Sequence, residues 1–335
     1  MIKDIKLIRR LNKDWRPEKI RVKKAGGQTN RNWIVEYENK KFFVRLPWER
    51  KDIVDREVEA KNIFALSRDQ KLRKILPKYY IYILHKKNIL QPKSKKIFIL
   101  PDGTMVTEYI EGKLFTMSLF IRKGEYQEKL ARMFHIFHTS GVKFKNKYNV
   151  FRDEIEKYRL ATKKYSLWLL IDKKTVLNFE KLEKEAQRKI SPLKKGISTH
   201  NDFIFQNFLI GKNSRIFLLD FEYAGQNIKG GIFYDFGFLF ADNLFRNPPI
   251  TLELFEKFLK VADKIYKKPL DRKQIYWSAI AAILVMFWWG IVRYFSVKNK
   301  KEKKYFKNYV LKRAKGILKL YCFLSKENKK GVRTI

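Results

Sequence analysis

The sequence STHNDFIFQN, residues Ser198–Asn207, is followed after a short gap by LLDFEYAG, residues Leu218–Gly225. The first stretch has the pattern H-x-D-x-x-x-x-N, in which Asp202 is the acid and Asn207 the amide. The second stretch places Asp220 at the end of an apolar run. The apolar residues around the gap predict a β-hairpin, which would bring the two aspartates to one edge of a small sheet.

These three side chains match the needs of phosphoryl transfer from Mg-ATP. Asp202 would take or orient the attacking hydroxyl, while Asn207 and Asp220 would hold Mg²⁺ on the phosphates. Taken singly, Asp202 is also explained as a turn residue and Asp220 as the cap of a strand. Neither explanation accounts for both acids with an asparagine between them, so we interpret the set as catalytic.

The composition excludes several classes of protein. A chain of 335 residues with 45% hydrophobic residues can bury a sizeable core and is not a disordered protein. The single cysteine, Cys322, excludes an intrachain disulfide and a cysteine-rich metal site. The charged first residues lack the apolar core of a signal peptide, so we expect a cytoplasmic protein.

The net charge of +41 is extreme. Such an excess is typical of proteins that bind nucleic acid or anionic membranes. The lysines are spread over nearly the whole chain, which favours a compositional bias such as codons from an AT-rich genome would give. We therefore expect no specific nucleic-acid partner and only weak contact with an anionic membrane, and the oligomeric state stays open.

The segment Ile275–Val292 has no charged residue, and its length is close to that of a membrane-spanning helix. A buried helix at the centre of a large helical lobe has the same pattern. We favour burial, because the segment falls where a helical lobe needs its central helix. No transmembrane segment is therefore predicted.

The first third of the chain predicts a sheet with one helix. The segments Asn32–Glu38 and Lys41–Leu46 are rich in β-branched and aromatic residues and predict a hairpin. The segment Asp55–Leu66 predicts a helix that faces the sheet. Further predicted strands are Arg21–Lys24, Lys78–Leu84, Lys96–Leu100 and Met105–Ile110, and helices beyond them include Tyr126–Thr139, Ile155–Leu170 and Val176–Ile190.

The pattern changes at Glu111-Gly112, after which the chain is mostly helical. We therefore predict an α+β, bilobal protein kinase-like fold with a small antiparallel sheet lobe and a large, mainly helical lobe. Residues 1–110 would form the nucleotide-binding lobe and residues 111–326 the catalytic and substrate lobe. Residues 327–335 would be a loose tail.

Two glycines, Gly26 and Gly27, lie between two predicted strands and would allow the backbone to approach phosphates closely. Taken alone, two glycines in a turn are better explained by an ordinary hairpin. Thr29 and Asn30 follow them, and then a strand, which strengthens the nucleotide interpretation.

Arg45 lies on the next predicted strand, where a phosphate-binding cation would point toward the glycine loop. Its planar guanidinium can bind phosphate oxygens through two hydrogen bonds. A surface arginine on an edge strand is the alternative. On the following helix, Glu59 rather than Glu57 is predicted to orient Arg45 through an ion pair.

The last candidates concern the acceptor. Asp235 is predicted to tie the catalytic loop together, and Asp242 to face the substrate. Trp289 and Tyr309 are candidate walls for a cation, because aromatic faces attract quaternary ammonium groups. Trp288 is a third candidate. All three aromatic residues could instead be core residues of the helical lobe, and for Trp288 this is the better explanation.

These residues give the chain a resemblance to the choline/ethanolamine kinase branch of the aminoglycoside phosphotransferase-like kinases, and it is most similar to bacterial choline kinase-like proteins. The resemblance covers most of the chain. The segments that carry it are GGQTN (26–30), FVRL (43–46), VTEYIEG (106–112), HND with the asparagine at 207, and DFEYAG (220–225).

The resemblance implies contacts of the adenine base with the backbone of Glu108, Tyr109 and Ile110. It implies that Glu222 lies near the metal or the substrate amine. It also matches Trp289 and Tyr309 to an aromatic substrate pocket.

The function expected from sequence is transfer of the γ-phosphoryl group of Mg-ATP to the hydroxyl of a small amino alcohol, choline first and ethanolamine second, as in making a phospholipid precursor. A related phosphotransferase that acts on thiamine, an aminoglycoside or a sugar is the nearest alternative. A basic kinase-fold scaffold on nucleic acid or an anionic membrane is an alternative of another class. Such a scaffold would no longer catalyse a reaction. The intact set of Asp202, Asn207 and Asp220 argues against this alternative.

Overall fold

A computed structural model describes residues 2–9, 11–12, 15–26, 30–47, 54–84, 100–122 and 124–330. The chain divides into two compact units. The N-terminal unit comprises Met1–Leu114 together with Asn207–Ala224, and the C-terminal unit comprises Phe115–Gln206 together with Gly225–Ile335. The predicted α+β class is confirmed.

The strands of the described residues are β1 (Arg21–Gly26), β2 (Asn30–Tyr37), β3 (Lys40–Pro47), β4 (Tyr79–Tyr82), β5 (Met105–Glu108), β6 (Lys113–Leu114), β7 (Lys147–Tyr148), β8 (Pro192–Thr199), β9 (Phe208–Ile210), β10 (Ile216–Leu218) and β11 (Gly225–Lys229). The α-helices of the same residues are α1 (Ile2–Ile8), α2 (Arg56–Arg68), α3 (Met117–Arg122), α4 (Gly124–His138), α5 (Lys157–Thr162), α6 (Lys173–Lys189), α7 (Ile232–Asn243), α8 (Leu252–Tyr266), α9 (Arg272–Ser296) and α10 (Lys300–Lys330).

The main sheet of the N-terminal unit is antiparallel, with the strand order β1-β2-β3-β5-β4. The β2–β3 hairpin pairs Trp33 with Val44, and its turn residues Glu38 and Asn39 both have positive φ. Two left-handed residues in a two-residue turn match the right-handed twist of the flanking strands. The predicted hairpin is therefore confirmed, and it places Arg45 on β3.

The core of this sheet also receives the start of the chain. Ile8 of α1, together with Leu11 and Trp15, is buried in the same apolar cluster as Trp33 and Val44. The sequence reasoning made no helix of this segment, because its charges hide the few apolar residues that it buries.

A second sheet of the N-terminal unit has the strand order β10-β9-β6. Its β9–β10 hairpin is the one that the sequence predicted between the two catalytic stretches. A Cβ at Gly112 would lie 2.1 Å from the carbonyl oxygen of Ile210, so only glycine allows this approach of the chain to β9. The sequence placed residues from 111 onward in the second lobe, whereas packing groups Asn207–Ala224 with the first.

The C-terminal unit is built around α9. Helices α7 and α10 pack against it, and a Cβ at Gly237 of α7 would lie 2.6 Å from the backbone nitrogen of Ala279. By length and composition α9 could cross a membrane, and its most apolar window is 18 residues long. Since 89% of that window is buried within the protein, the predicted buried helix over Ile275–Val292 is confirmed.

Three expectations need correction or lie outside the described residues. The predicted helix Ile155–Leu170 ends as α5 at Thr162, whose hydroxyl donates to the carbonyl of Arg159 (2.7 Å) and competes with the helix backbone. Helix α10 continues to Lys330, past the start of the predicted tail at 327, because its lysines and glutamates favour helix. Most of the predicted strand Lys96–Leu100 lies outside the described residues.

Candidate active site

The β9–β10 hairpin brings the amide and the second acid of the predicted set together. Phe208 pairs with Leu218, and the amide of Leu219 then donates to the carbonyl of Asn207 (2.8 Å). The next residue, Asp220, has a left-handed φ of 63°, which is uncommon for an aspartate and costly unless its surroundings impose it. Asn207 and Asp220 therefore leave the end of the hairpin as neighbours.

Glu59 lies at the centre of five charged side chains in the N-terminal unit, which we call the charge network. Its Oε1 is 2.7 Å from Nη1 of Arg45, and its Oε2 is 2.7 Å from Nη1 of Arg56. Arg45 then lies 3.6 Å from Asp220, and Arg56 lies 3.5 Å from Glu222. We call Asp220–Glu222 the DFE segment. Each of its two acids is thus paired with its own arginine, and both arginines share Glu59.

The charge network sets the ionisation of its members. Burial raises the pKa of Glu59, but Arg45 and Arg56 outweigh burial and lower it to about 2. Burial raises the pKa of Asp220, against the attraction of Arg45. Burial, with the charges of Asp220 and Glu59 beside it, raises the pKa of Glu222 to about 8.

The choice of Glu59 over Glu57 as the partner of Arg45 is confirmed by the ion pair. The sequence reasoning missed Arg56, which lies on the first turn of α2, next to the N-cap Asp55. It also missed Gly103, whose carbonyl accepts a hydrogen bond from Nη2 of Arg45 (3.2 Å). Gly103 has a φ of +85°, and a Cβ there would meet the Arg56 side chain at 2.5 Å. A lone glycine in a loop gave no signal for this role.

The glycine loop is only partly described. Gly26 ends β1 and Asn30 begins β2, whereas Gly27 and Thr29 lie outside the described residues. The side-chain oxygen of Asn30 accepts a hydrogen bond from Nη2 of Arg56 (3.2 Å). Arg56 therefore links the end of this loop to the charge network.

The predicted adenine-binding segment follows β5. The amide of Glu108 donates to the carbonyl of Lys78 (2.8 Å), and the amide of Tyr109 donates to the carbonyl of Lys41 (3.4 Å). These two amides are used within the sheet. Contacts with the base from Glu108, Tyr109 and Ile110 remain a prediction, and they would fall to the other backbone groups of this segment.

In the C-terminal unit, Asp235 braces the loop that carries Asp202. Its Oδ1 accepts from the amide of Asn201 (2.8 Å), and its Oδ2 accepts from the amide of His200 (3.1 Å). Nε2 of His138 lies 2.8 Å from the same Oδ2. The predicted role of Asp235 as the tie of the loop is confirmed, and both ring nitrogens of the buried His138 have partners, the second being the Tyr266 hydroxyl (2.6 Å).

Asn201, the residue before Asp202, is held in a left-handed conformation with a φ of 64°. Its side-chain oxygen accepts from Thr199 Oγ1 (2.7 Å) and from Asn227 Nδ2 (3.0 Å). A short polar side chain tolerates this conformation better than most, and the surrounding bonds over-determine it. The position of Asp202 is therefore fixed by the backbone that precedes it.

The predicted aromatic pair is present in the same unit. The rings of Trp289 and Tyr309 lie 5.6 Å apart at 61°, while Trp288 is buried in the core as expected. The guanidinium carbon of Arg313 lies 3.3 Å from the centroid of the Tyr309 ring and 4.5 Å from that of Phe245. An arginine of the chain itself thus occupies an aromatic face that was predicted to bind a substrate cation.

Asp242 is the counter-ion of this cluster. Its Oδ2 accepts from Nε of Arg246 (3.0 Å), and its Oδ1 lies 4.0 Å from Nη2 of Arg313. Burial raises the pKa of Tyr309; Arg313 opposes this, and the charges of Asp242 and Asp202 add to it. We call Asp242, Phe245, Trp289, Tyr309 and Arg313 the acceptor cluster. The carboxylate of Asp242 is therefore already paired with arginines of the chain. Its predicted contact with substrate stays a prediction.

The residues at the hairpin end suit a magnesium ion. Mg²⁺ prefers oxygen ligands and is commonly held by one or two carboxylates plus phosphates and water. Oδ1 of Asp220 is buried without a hydrogen bond. The side-chain amide oxygen of Asn207, the neighbouring residue at the hairpin end, stays the predicted second ligand. The Asp220 side chain is 31% exposed and that of Glu222 only 3%, so Asp220 is the better-placed ligand. Among the described residues, no group of three His, Cys, Asp or Glu forms a separate metal site.

Comparison with known proteins identifies similar chains. A family model described as choline/ethanolamine kinase matches residues 77–253, just over half of the chain. Protein LicA of Haemophilus influenzae is 22% identical over 208 residues, which cover 60% of this chain and 53% of that protein. The chain therefore spans about half the length of this curated relative.

The fold is also found in solved structures. The choline kinase LicA from Streptococcus pneumoniae matches with a TM-score of 0.69 at 20% identity, over 95% of this chain and 98% of that one. A choline/ethanolamine kinase family protein from Mesorhizobium loti matches with a TM-score of 0.67 at 17% identity, over 96% and 95%. At such identities the likeness establishes the fold, and the predicted kinase-like fold is confirmed.

Proposed function

Because the chain belongs to the choline/ethanolamine kinase family, we propose that it transfers the γ-phosphoryl group of Mg-ATP to the hydroxyl of a small amino alcohol. Choline is the first candidate acceptor and ethanolamine the second. The observation that carries the proposal is the charge network, in which Glu59 holds Arg45 at 2.7 Å beside Asp220. Phosphoryl transfer depends on positioning and on charge stabilisation, which such a network supplies.

The proposed roles follow from the chemistry of the groups. Arg45 binds phosphate oxygens through its guanidinium, while Glu59 keeps that guanidinium oriented. Asn207 and Asp220 would hold Mg²⁺, which neutralises charge on the phosphates. Asp202 accepts the proton of the acceptor hydroxyl or orients that hydroxyl for attack.

The acceptor cluster bears on the choice of acceptor. Arg313 already lies over the Tyr309 ring, so a quaternary ammonium group at that face would have to displace a like charge. This observation favours a second candidate within the same superfamily, a phosphotransferase whose acceptor is uncharged, such as a sugar. Thiamine and aminoglycosides, which carry positive charge, would meet the same obstacle at this face.

The test is ATP consumption by the purified protein with Mg²⁺, measured separately with choline, ethanolamine, thiamine, an aminoglycoside and a neutral sugar. Phosphorylation of choline or ethanolamine well above the other acceptors supports the first candidate. Phosphorylation of the sugar alone supports the second. Binding of Mg-ATP without turnover on any acceptor would contradict the proposed acceptor class while leaving nucleotide binding in place.

A further inference from the structure

The link between α5 and α6, residues 163–172, exposes two large apolar side chains side by side. We call this link the knuckle. Trp168 is 58% exposed and Leu169 is 74% exposed, both on a short 3₁₀ turn. Isolated exposed apolar residues are normal on protein surfaces. Two in succession on an ordered turn are the kind of patch that marks an interaction site.

Backbone hydrogen bonds and buried residues anchor the turn that carries these two exposed side chains. The amides of Leu170 and Ile171 both donate to the carbonyl of Leu167, at 2.8 and 3.0 Å, and both residues are buried. The turn is therefore anchored by the residues that follow it. The flanking helices each expose one further leucine, Leu160 at 47% and Leu177 at 46%.

Exposed lysines flank the apolar pair on both sides in sequence. Lys163 and Lys164 precede it, and Lys173 and Lys174 follow it. The acid between them, Asp172, is the N-cap of α6, and its carboxylate accepts from the amide of Thr175 (2.8 Å) and its hydroxyl (2.7 Å). The knuckle thus carries two exposed apolar side chains that are flanked in sequence by two pairs of exposed lysines.

The basic surface continues onto the turn between α9 and α10. The rings of Tyr165 and Phe295 stack with their centroids 4.4 Å apart and an interplanar angle of 6°, which fixes the knuckle against the end of α9. After Phe295 in the sequence, this turn and the start of α10 carry five exposed lysines: Lys298, Lys300, Lys301, Lys303 and Lys304.

We propose that the knuckle and the α9–α10 turn form a docking surface for an anionic phospholipid bilayer. Tryptophan favours the membrane–water interface, leucine favours the hydrocarbon beneath it, and lysines near the surface are attracted by anionic headgroups. Together they supply the two signals, apolar insertion and charge, that reversible membrane binding needs. This binding is independent of the proposed kinase reaction.

The apolar pair argues for a bilayer over the other anionic partner, a nucleic acid. Affinity for nucleic acid comes from phosphate contacts and from stacking on aromatic rings. Lysines and Trp168 would serve both partners. A leucine that is 74% exposed adds nothing to phosphate contacts or base stacking, but it gains free energy on entering hydrocarbon. A second copy of this chain would bring a like-charged lysine cluster against the first.

The experiment is co-sedimentation of the full chain with vesicles of phosphatidylcholine alone or of phosphatidylcholine with phosphatidylglycerol. We expect binding to the anionic vesicles only, weakened by high salt. The double variant W168S/L169S should lower the partition coefficient by about tenfold or more, since it removes the inserted apolar area. Replacing Lys163, Lys164, Lys173 and Lys174 with Gln should lower it by a similar factor.

The matched control is Leu114→Ser, which removes a leucine that is 49% exposed in the N-terminal unit and should leave vesicle binding unchanged. Equal vesicle binding by wild type and W168S/L169S would overturn the proposal, as would no binding by the wild type. Loss of self-association by W168S/L169S would identify a second copy as the occupant instead. RNA binding that the lysine variant loses and W168S/L169S keeps, without vesicle binding, would identify nucleic acid.

Discussion

The charge network of the N-terminal unit and the acceptor cluster of the C-terminal unit both bury arginines, but they satisfy them differently. Arg45 and Arg56 each lie 2.7 Å from a carboxylate oxygen of Glu59. Arg313 lies on the Tyr309 ring, and its carboxylate, Asp242, is 4.0 Å away. A buried guanidinium paired with a carboxylate is costly to alter, whereas one held mainly by rings can be replaced by an apolar side chain. The comparison suggests that the first region carries the common chemistry and the second the choice of acceptor.

The largest expected effect comes from the acid at the end of the network. Asp220→Asn keeps the shape of the side chain and removes the charge proposed to hold Mg²⁺. We expect turnover to fall by roughly 10³-fold or more, because metal charge stabilises the transition state by several kcal/mol. Steady-state ATP turnover measures this, with circular dichroism to show an intact fold. Glu253→Gln, at a side chain 79% exposed, is the control, and near-wild-type turnover of Asp220→Asn would contradict the assignment.

Glu59→Gln tests whether the network holds the fold as well as the site. The buried Arg45 and the partly buried Arg56 would lose their shared counter-ion, so we expect a loss of about 3–5 kcal/mol in the free energy of unfolding. Urea unfolding measures it. Glu57→Gln, two residues earlier in the same helix and with its side chain 52% exposed, should change stability little. Equal stability of the two variants would show that the network is energetically unimportant.

The same variant gives a pH test. The pKa of Glu59 is lowered to about 2 in the folded protein, whereas the ordinary value of a glutamate side chain is 4.5. The stability that Glu59 contributes is therefore complete above about pH 4.5 and is lost as the pH falls toward 2. Glu59→Gln should lack this part of the acid dependence in urea unfolding at a series of pH values. An unchanged dependence would contradict the lowered pKa.

Arg56→Gln tests the residue that links Asn30, Glu59 and Glu222. If Arg56 orients the DFE segment without touching substrate, we expect the Mg²⁺ concentration for half-maximal turnover to rise about 10–100-fold. Losses of this order are typical when a group that orients metal ligands is removed. Mg²⁺ titrations of turnover measure it. Arg68→Gln, at the far end of the same helix, is the control. A change in the KM for the acceptor alone would point to a different role.

Arg313→Leu should have the smallest effect on the reaction and a visible effect on selectivity. Removing the cation from the Tyr309 face should improve the kcat/KM for choline relative to a neutral acceptor by about tenfold, the order expected for a buried cation–π contact. The KM for ATP should stay unchanged. Lys312→Leu, the exposed neighbour, is the control. A loss of all turnover would show that Arg313 belongs to the catalytic chemistry.

The sequence predicted the parts of the molecule that local patterns encode. The β2–β3 hairpin, the buried α9 and the β9–β10 hairpin between Asn207 and Asp220 all follow from periodicity and turn residues within short stretches. The partner of Arg45 also followed, because Glu59 and Glu57 lie on different faces of one helix. Each of these predictions needed only neighbours in sequence.

The features that were missed depend on contacts between distant residues. Arg56 gains its role from Glu222, which is 166 residues away in the sequence. Arg313 was one cation among 75, and only its packing against Tyr309 and Phe245 distinguishes it. The grouping of Asn207–Ala224 with the N-terminal unit likewise involves contacts between distant residues, such as the bond from the amide of Leu218 to the carbonyl of Ile75 and the bond from the side chain of Asn62 to the carbonyl of Ala224.

The most direct test of the account compares Asp202→Asn with Asp220→Asn in two assays, Mg²⁺-dependent nucleotide binding by calorimetry and turnover with the best acceptor. The account predicts that Asp202→Asn binds Mg-ATP as the wild type does but turns over roughly 10²–10⁴-fold more slowly, as expected for loss of a general base. It predicts that Asp220→Asn loses the Mg²⁺ dependence of binding. Wild-type turnover by Asp202→Asn, or unchanged Mg²⁺-dependent binding by Asp220→Asn, would contradict it.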